Sequence, residues 1–185
     1  MRKRVLVLLA AGAEEMETVI TVDVLRRGGL EVTLAGVEGA GPVTCSRGVK
    51  LVPDCALDQA AGPFDLIALP GGAQGAEALA ASPKVQALLR EQDRRGGFIA
   101  AICAAAIALV AAGVGRGRKL TSHPVVKDRV AGFGQYQEAR VVQDGNLITS
   151  RGPGTAFEFA LKLIEVLAGR ELAEKVAAPM ILPPR

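Results

Sequence analysis

Short apolar runs alternate with helical patterns along this chain, and the alternation narrows the possible folds more than any other feature. Residues 4–9 (RVLVLL) read as a strand buried on both faces, residues 30–35 (LEVTLA) as a second strand and residues 65–69 (DLIAL) as another buried one. Residues 14–27 (EEMETVITVDVLRR) read as a helix, acidic at its start and basic at its end, as the helix dipole favours, with Gly28-Gly29 stopping it. A second helix is expected over 82–94, with Ser82 as N-cap and Pro83 in first position. Residues 41–54 (GPVTCSRGVKLVPD) resemble a small hairpin, and residues 139–150 (ARVVQDGNLITS) a hairpin around Asp144-Gly145. Residues 154–169 (GTAFEFALKLIEVLAG) predict a helix, with Thr155 and Glu158 in a capping-box pattern and Gly169 closing it. Strands alternating with helices predict an α/β fold, a mostly parallel sheet with helices on both faces, whose ligands sit beyond the carboxyl ends of the strands. No repeat or linker interrupts the pattern, so residues 1–185 are expected to form a single domain.

Residues 96–115 (GGFIAAICAAAIALVAAGVG) carry no charge and are long enough to raise the question of a membrane span. Alanine and glycine dominate them, and leucine occurs once. They divide more naturally into a strand, GFIAAI, and an alanine-rich helix, AAAIALVAAG, ending at Gly113, so no transmembrane segment is expected. The N-terminal run has a basic start and an Ala11-Gly12-Ala13 that imitates a leader-peptide cleavage site, but it is short and Glu14, Glu15 and Glu17 follow at once. It is read as the first buried strand.

A net charge of +3, scattered basic residues and few aromatics give no nucleic-acid motif. Cys45, Cys55 and Cys103 form an odd, widely spaced set unlike a disulfide framework, and His123 is the single histidine, so no metal site is expected. The cysteine pattern points to a reducing, cytoplasmic compartment.

Cys103 falls at the junction between strand and helix. A sharp turn there lifts the side chain above the sheet edge, as in a nucleophile elbow, and helical N–H groups with the dipole would lower the thiol pKa and hold an oxyanion. A buried structural thiol is the alternative, and position alone divides the two evenly. Glu17 taken alone reads as a solvated acid of a first helical turn, His123 before Pro124 as a loop cap or a site residue, and Gly71-Gly72 as a tight turn. No Lys-Ser/Thr follows those glycines, so they form no phosphate loop.

Five segments occur in order: AAGAEEMETVITVDVLRRGG, DLIALPGGAQGA, FIAAICA, TSHPVVKD and TSRGPGTAFEFAL. Together they resemble the parkinsonism-associated deglycases of the ThiJ/PfpI superfamily, from about residue 4 to about residue 180. The resemblance implies a flavodoxin-like three-layer sandwich, a homodimer and a reactive cysteine on a nucleophile elbow, with no cofactor. By motif it assigns Cys103 as nucleophile, Glu17 as the acid bonded to it and His123 as the nearby histidine. It assigns Gly71, Gly72 and Ala104 as backbone oxyanion donors, Arg47 as the arginine on the dimer-facing side and Pro153 as a site-lining residue. Cys45 takes the place of an interface cysteine, and Cys55 is read as structural. The implied substrates are small reactive aldehydes such as methylglyoxal, or glycated protein side chains, giving glyoxalase or deglycase chemistry together with oxidative-stress sensing through the same sulfur. A non-catalytic redox sensor or chaperone and, more distantly, a cysteine peptidase are the alternatives. The resemblance also allows a nuclear or mitochondrial location.

Two positions depart from the pattern. Ala104-Ala105-Ala106-Ile107 stands where close relatives have Ala-Gly-Pro-Thr, so an added Cβ at Ala105 is expected to crowd the elbow or narrow the pocket. Ala73 stands where relatives carry a polar residue, and a substrate contact is expected to be lost there.

Overall fold

The computed structural model describes residues 2–183. Among these residues eleven strands and seven α-helices follow one another. The first half contains β1 (Arg4–Leu9), α1 (Glu15–Arg27), β2 (Glu31–Gly36), β3 (Val43–Thr44), β4 (Lys50–Leu51), β5 (Cys55–Ala56), β6 (Leu66–Leu69), α2 (Ala73–Ala81) and α3 (Pro83–Arg94). The second half contains β7 (Phe98–Ile102), α4 (Ala106–Ala112), β8 (Lys119–Leu120), α5 (Lys127–Val130), β9 (Gln135–Tyr136), β10 (Val141–Asp144), β11 (Leu147–Ser150), α6 (Ala156–Ala168) and α7 (Arg170–Ala177).

Seven strands form one sheet in the order β10-β11-β7-β6-β1-β2-β5. All neighbours run parallel except the β10–β11 edge hairpin. This is the mostly parallel α/β sheet that the alternating pattern predicts and the flavodoxin-like sandwich that the resemblance implies. β1 shows why its run is uniformly apolar. Val5, Val7 and Leu9 enter a core shared with α1 and α6, while Leu6, Leu8 and Ala10 enter one shared with α2, α3 and α4. A strand covered on both faces has no polar side.

The uncharged segment divides as expected. Phe98–Ile102 pairs between β6 and β11, a 3-10 turn follows at Cys103–Ala105, and α4 ends at Gly113 in the left-handed conformation. No helix among the described residues is long and apolar enough to cross a membrane. Ser82 caps α3 through Val85 N–H at 3.3 Å, with Pro83 opening the helix, and β3 and β4 pair as the small hairpin.

Two local readings are corrected. Thr155 and Glu158 form no capping box: Thr155 Oγ1 bonds Gly152 and Ser150, and Glu158 pairs with Arg140. The edge hairpin turns at Gly145-Asn146, with Asp144 still paired to Leu147. The latter arises because Gly145 supplies the positive φ of 59° inside the two-residue loop.

Candidate active site

Cys103 follows the last residue of β7 with φ 64°, a conformation that β-carbon-bearing residues rarely adopt. Such strain costs roughly 1–3 kcal/mol and survives where the surroundings over-determine it. Here its carbonyl accepts His123 N–H at 3.1 Å, and β7 holds the preceding residues in the centre of the sheet. The turn points the chain away from the strand as a nucleophile elbow does.

Glu17 approaches from α1. Glu14 caps that helix by accepting Glu17 N–H at 2.8 Å, and the Glu17 side chain is fully buried. Its Oε2 accepts Gly71 N–H, from the turn after β6, at 2.7 Å. A Cβ on Gly71 would lie 2.6 Å from Cys103 Cβ and 2.9 Å from Glu17 Oε2, so the three groups meet at one point where only glycine fits. Gly72 has φ 86°, and a side chain there would collide with Gly12 and Glu14 backbone. Glu17 Oε1 is buried with no hydrogen-bond partner, and the Cys103 thiol acts on the carboxyl electrostatically.

The pair is electrostatically coupled. Burial pushes the Glu17 carboxyl up to about 7, against the Gly71 hydrogen bond. Burial, and the charge of Glu17 whenever that carboxyl is ionised, push the Cys103 thiol up, while backbone N–H groups of Gly72 and Ala104 act the other way. Two adjacent buried anions are therefore avoided, and the pair releases one proton rather than two through the neutral range. The residues behind Cys103 form a 3-10 turn, α4 starts only at Ala106, and Cys103 is buried, with 8% exposure. Glu15, two residues from Glu17, behaves oppositely. Burial works against it, but hydrogen bonds that include Ser46 Oγ at 2.7 Å and Arg47 N–H at 2.7 Å keep its carboxyl below the usual range.

The remaining candidates divide. Gly72 and Ala104 direct backbone N–H groups at the sulfur, whereas the Gly71 N–H is committed to Glu17. His123 lies in the turn after β8, half-buried, its Nδ1 accepting Val125 N–H at 3.2 Å. Its ring is close enough to Gly152 that a Cβ there would be 3.3 Å from Cδ2, and half-buried Pro153 follows. Arg47 is exposed on the β3–β4 hairpin, its guanidinium bonding Ser46 O at 3.2 Å and its backbone braced by Glu15. Ala105 is fully buried in the core beside α2 and α3, whereas Cys103 joins the core shared with α1 and α6. Ala73 is an exposed first residue of α2. Cys45 is buried, and burial with the nearby Glu15 and Glu14 charges raises its thiol pKa; Cys55 belongs to the edge strand β5. Tyr136, the single tyrosine, lies outside the residues that the sequence points to; its hydroxyl bonds Ser122 beside His123. Among the described residues no group of three or more His, Cys, Asp or Glu side chains is placed to hold a metal ion.

Known proteins share this arrangement of chain. The DJ-1/PfpI family matches residues 3–166. "Parkinson disease protein 7 homolog" of Danio rerio is 54% identical over 184 residues, spanning 97% of both chains. "Glutathione-independent glyoxalase DJR-1.2" of Caenorhabditis elegans is 45% identical over 184 residues, spanning 98% of this chain and 97% of its own. The crystal structure of Drosophila melanogaster DJ-1beta superposes with a TM-score of 0.97 at 50% identity over the whole of both chains. By sequence along nearly its full length and by fold, the chain belongs to the DJ-1/PfpI family.

Proposed function

We propose that this chain is a cofactor-independent enzyme that uses Cys103 on small reactive carbonyls, with methylglyoxal as the model substrate. The observation that carries the reading is the meeting of Cys103, Glu17 and Gly71 at one crowded point, which sets a thiol beside a buried carboxyl. A relative that carries the name of a glutathione-independent glyoxalase supports the same chemistry.

When the pair holds one proton, the charge belongs on sulfur. Backbone N–H groups of Gly72 and Ala104 favour the thiolate, and the partnerless Oε1 of a protonated Glu17 has its proton free to donate to sulfur, whereas an ionised carboxyl has Gly71 alone. The thiolate attacks the aldehyde carbon of methylglyoxal, and Glu17 gives its proton to the carbonyl oxygen, leaving a hemithioacetal and an ionised carboxylate. The ionised Glu17 then removes the hydrogen from the former aldehyde carbon as a proton and returns it to the neighbouring carbon, while the hydroxyl proton passes to the neighbouring oxygen, which converts the adduct to a thioester. Water cleaves the thioester, releasing lactate and restoring the thiol, so the net reaction adds one water and needs no outside oxidant. The same attack on an aldehyde-derived adduct of a protein side chain gives deglycase chemistry.

Lactate formation from methylglyoxal tests the proposal. Cys103→Ala is expected to abolish turnover and Glu17→Ala to lower it about a hundredfold or more, the usual scale of a lost acid–base group. Full turnover by Cys103→Ala would overturn the mechanism. The redox-sensing alternative rests on the same sulfur: mild peroxide would oxidise Cys103 to sulfinate ahead of Cys45 and Cys55. The peptidase reading lacks support, because His123 bonds its own loop through Nδ1.

Assembly as a homodimer belongs to the same proposal. Met16 and Val19 on α1 are 54% and 47% exposed, and Val49 and Val52 beside β4 are 48% and 66% exposed. Val19 and Val52 line one shallow groove with Val22, Leu34 and Leu51, an apolar face suited to a second copy.

A further inference from the structure

The turn that carries His123 is tied down at several points. Thr121 N–H donates to Thr149 Oγ1 on β11 at 2.9 Å, and Gln137 N–H to Leu120 O at 2.8 Å. Tyr136 on β9 donates its hydroxyl to Ser122 O at 3.1 Å, and Ser122 Oγ lies 3.3 Å from that hydroxyl. Ser122 Oγ–H in turn donates to His123 O at 3.1 Å. The Tyr136 ring is itself held: Lys127 Nζ stands 5.1 Å from its centroid and pairs with Glu138 at 2.6 Å. Glu138 also takes Arg151 at 2.6 Å, which links the group to the chain leaving β11.

Inside this turn His123 Nδ1 accepts Val125 N–H at 3.2 Å. A ring nitrogen that accepts carries no proton, so the neutral ring bears its proton on Nε2. Nε2 has no hydrogen-bond partner among the described residues, and the neighbouring Cδ2 faces Gly152. His123 N–H on Cys103 O fixes the turn to the elbow at 3.1 Å.

We infer that Tyr136 is a positioning residue: through Ser122 it holds the His123 turn so that His123 meets a carbonyl substrate as an Nε2–H donor and not as a base. The donor stabilises the substrate oxygen that becomes anionic while Glu17 moves the carbon-bound proton; His123 gives up no proton and takes none. The consequence for turnover rests on the carbonyl reading above, whereas the tautomer does not.

His123 is the only histidine, so a long-range 1H–15N spectrum of labelled protein shows a single imidazole. With the ring neutral, the wild type is expected to show the Nε2–H tautomer. Tyr136→Phe is expected to mix the tautomers or broaden the signal, and to lower kcat about three- to tenfold with little change in KM, the scale of one net hydrogen bond. In a His123→Ala background the same change is expected to have less than about a twofold further effect, because its influence passes through the imidazole. A dominant Nδ1–H tautomer in the wild type overturns the inference. So does a Tyr136→Phe protein with wild-type spectrum and kcat, or a double variant in which the two losses multiply. Absence of methylglyoxal turnover in the wild type sinks the carbonyl reading instead, and the imidazole spectrum still decides this one.

Discussion

Glu15 and Glu17 stand in the same helical turn and meet opposite electrostatic surroundings. Glu15 receives Ser46 and Arg47 donors, while Glu17 is driven inward with one backbone donor. The Glu17 carboxyl is raised from its ordinary 4.5 to about 7, so the folded chain binds its proton more tightly than the unfolded chain does. Its contribution to stability is complete below about pH 4.5 and is lost as pH rises through about 7, an amount of order 3 kcal/mol shared with its coupled partner. Urea unfolding across that range is expected to show a falling stability in the wild type and a flatter profile in Glu17→Gln. Parallel profiles would contradict the assignment. Cys103 was legible as a junction residue because a lone sulfur between a strand pattern and an alanine-rich helix pattern is conspicuous. The burial of Glu17 was not legible, because an acid in a first helical turn ordinarily faces water; only the approach of the β6 turn through Gly71 encloses it.

Among the elements, the helix behind the nucleophile carries the departure from the family pattern. Ala105 is fully buried with Ala108, Leu109 and Ala112 on the side of the sheet that α2 and α3 cover. Ala105→Gly is therefore expected to cost about 1 kcal/mol of stability, or about 2–4 °C in Tm, with turnover nearly unchanged. A large gain in turnover, read in the lactate assay, would show that the added methyl does narrow the site. The central strands and α1, α3 and α6 follow from periodicity, because each buries a whole face or both faces. α2 and α7 escape such reading: AQGAEALAA lacks contrast between its faces, and RELAEKVA begins directly after the glycine that closes α6. The two-residue strand β5 is shorter than any alternation can register. Thr155 misleads for a tertiary reason, since its hydroxyl is taken by Gly152 and Ser150 in the turn leaving β11.

For the whole molecule, the sheet order gathers the chemistry at one end. The turns after β6, β7 and β11 deliver Gly71-Gly72, Cys103 and Gly152-Pro153 to neighbouring positions, and α1 adds Glu17 from the β1 side. The apolar face of α1 and the β3–β4 hairpin lies next to this end through Glu15, Ser46 and Arg47. If two copies join there, sedimentation velocity will show a dimer for the wild type and a shift toward monomer for Val52→Glu, whose charge would enter the apolar contact. A wild-type monomer across dilution would refute the assembly. The central claim is that Cys103 and Glu17 share one proton, and the most direct measurement is the alkylation rate of Cys103 against pH with Cys45 and Cys55 replaced by serine. The account predicts a single step near neutral pH in the wild type, displaced upward in Glu17→Gln, where an amide N–H replaces the stronger carboxyl O–H donor to sulfur. Superimposable profiles, or a wild-type thiol that stays unreactive until strongly alkaline pH, would contradict it.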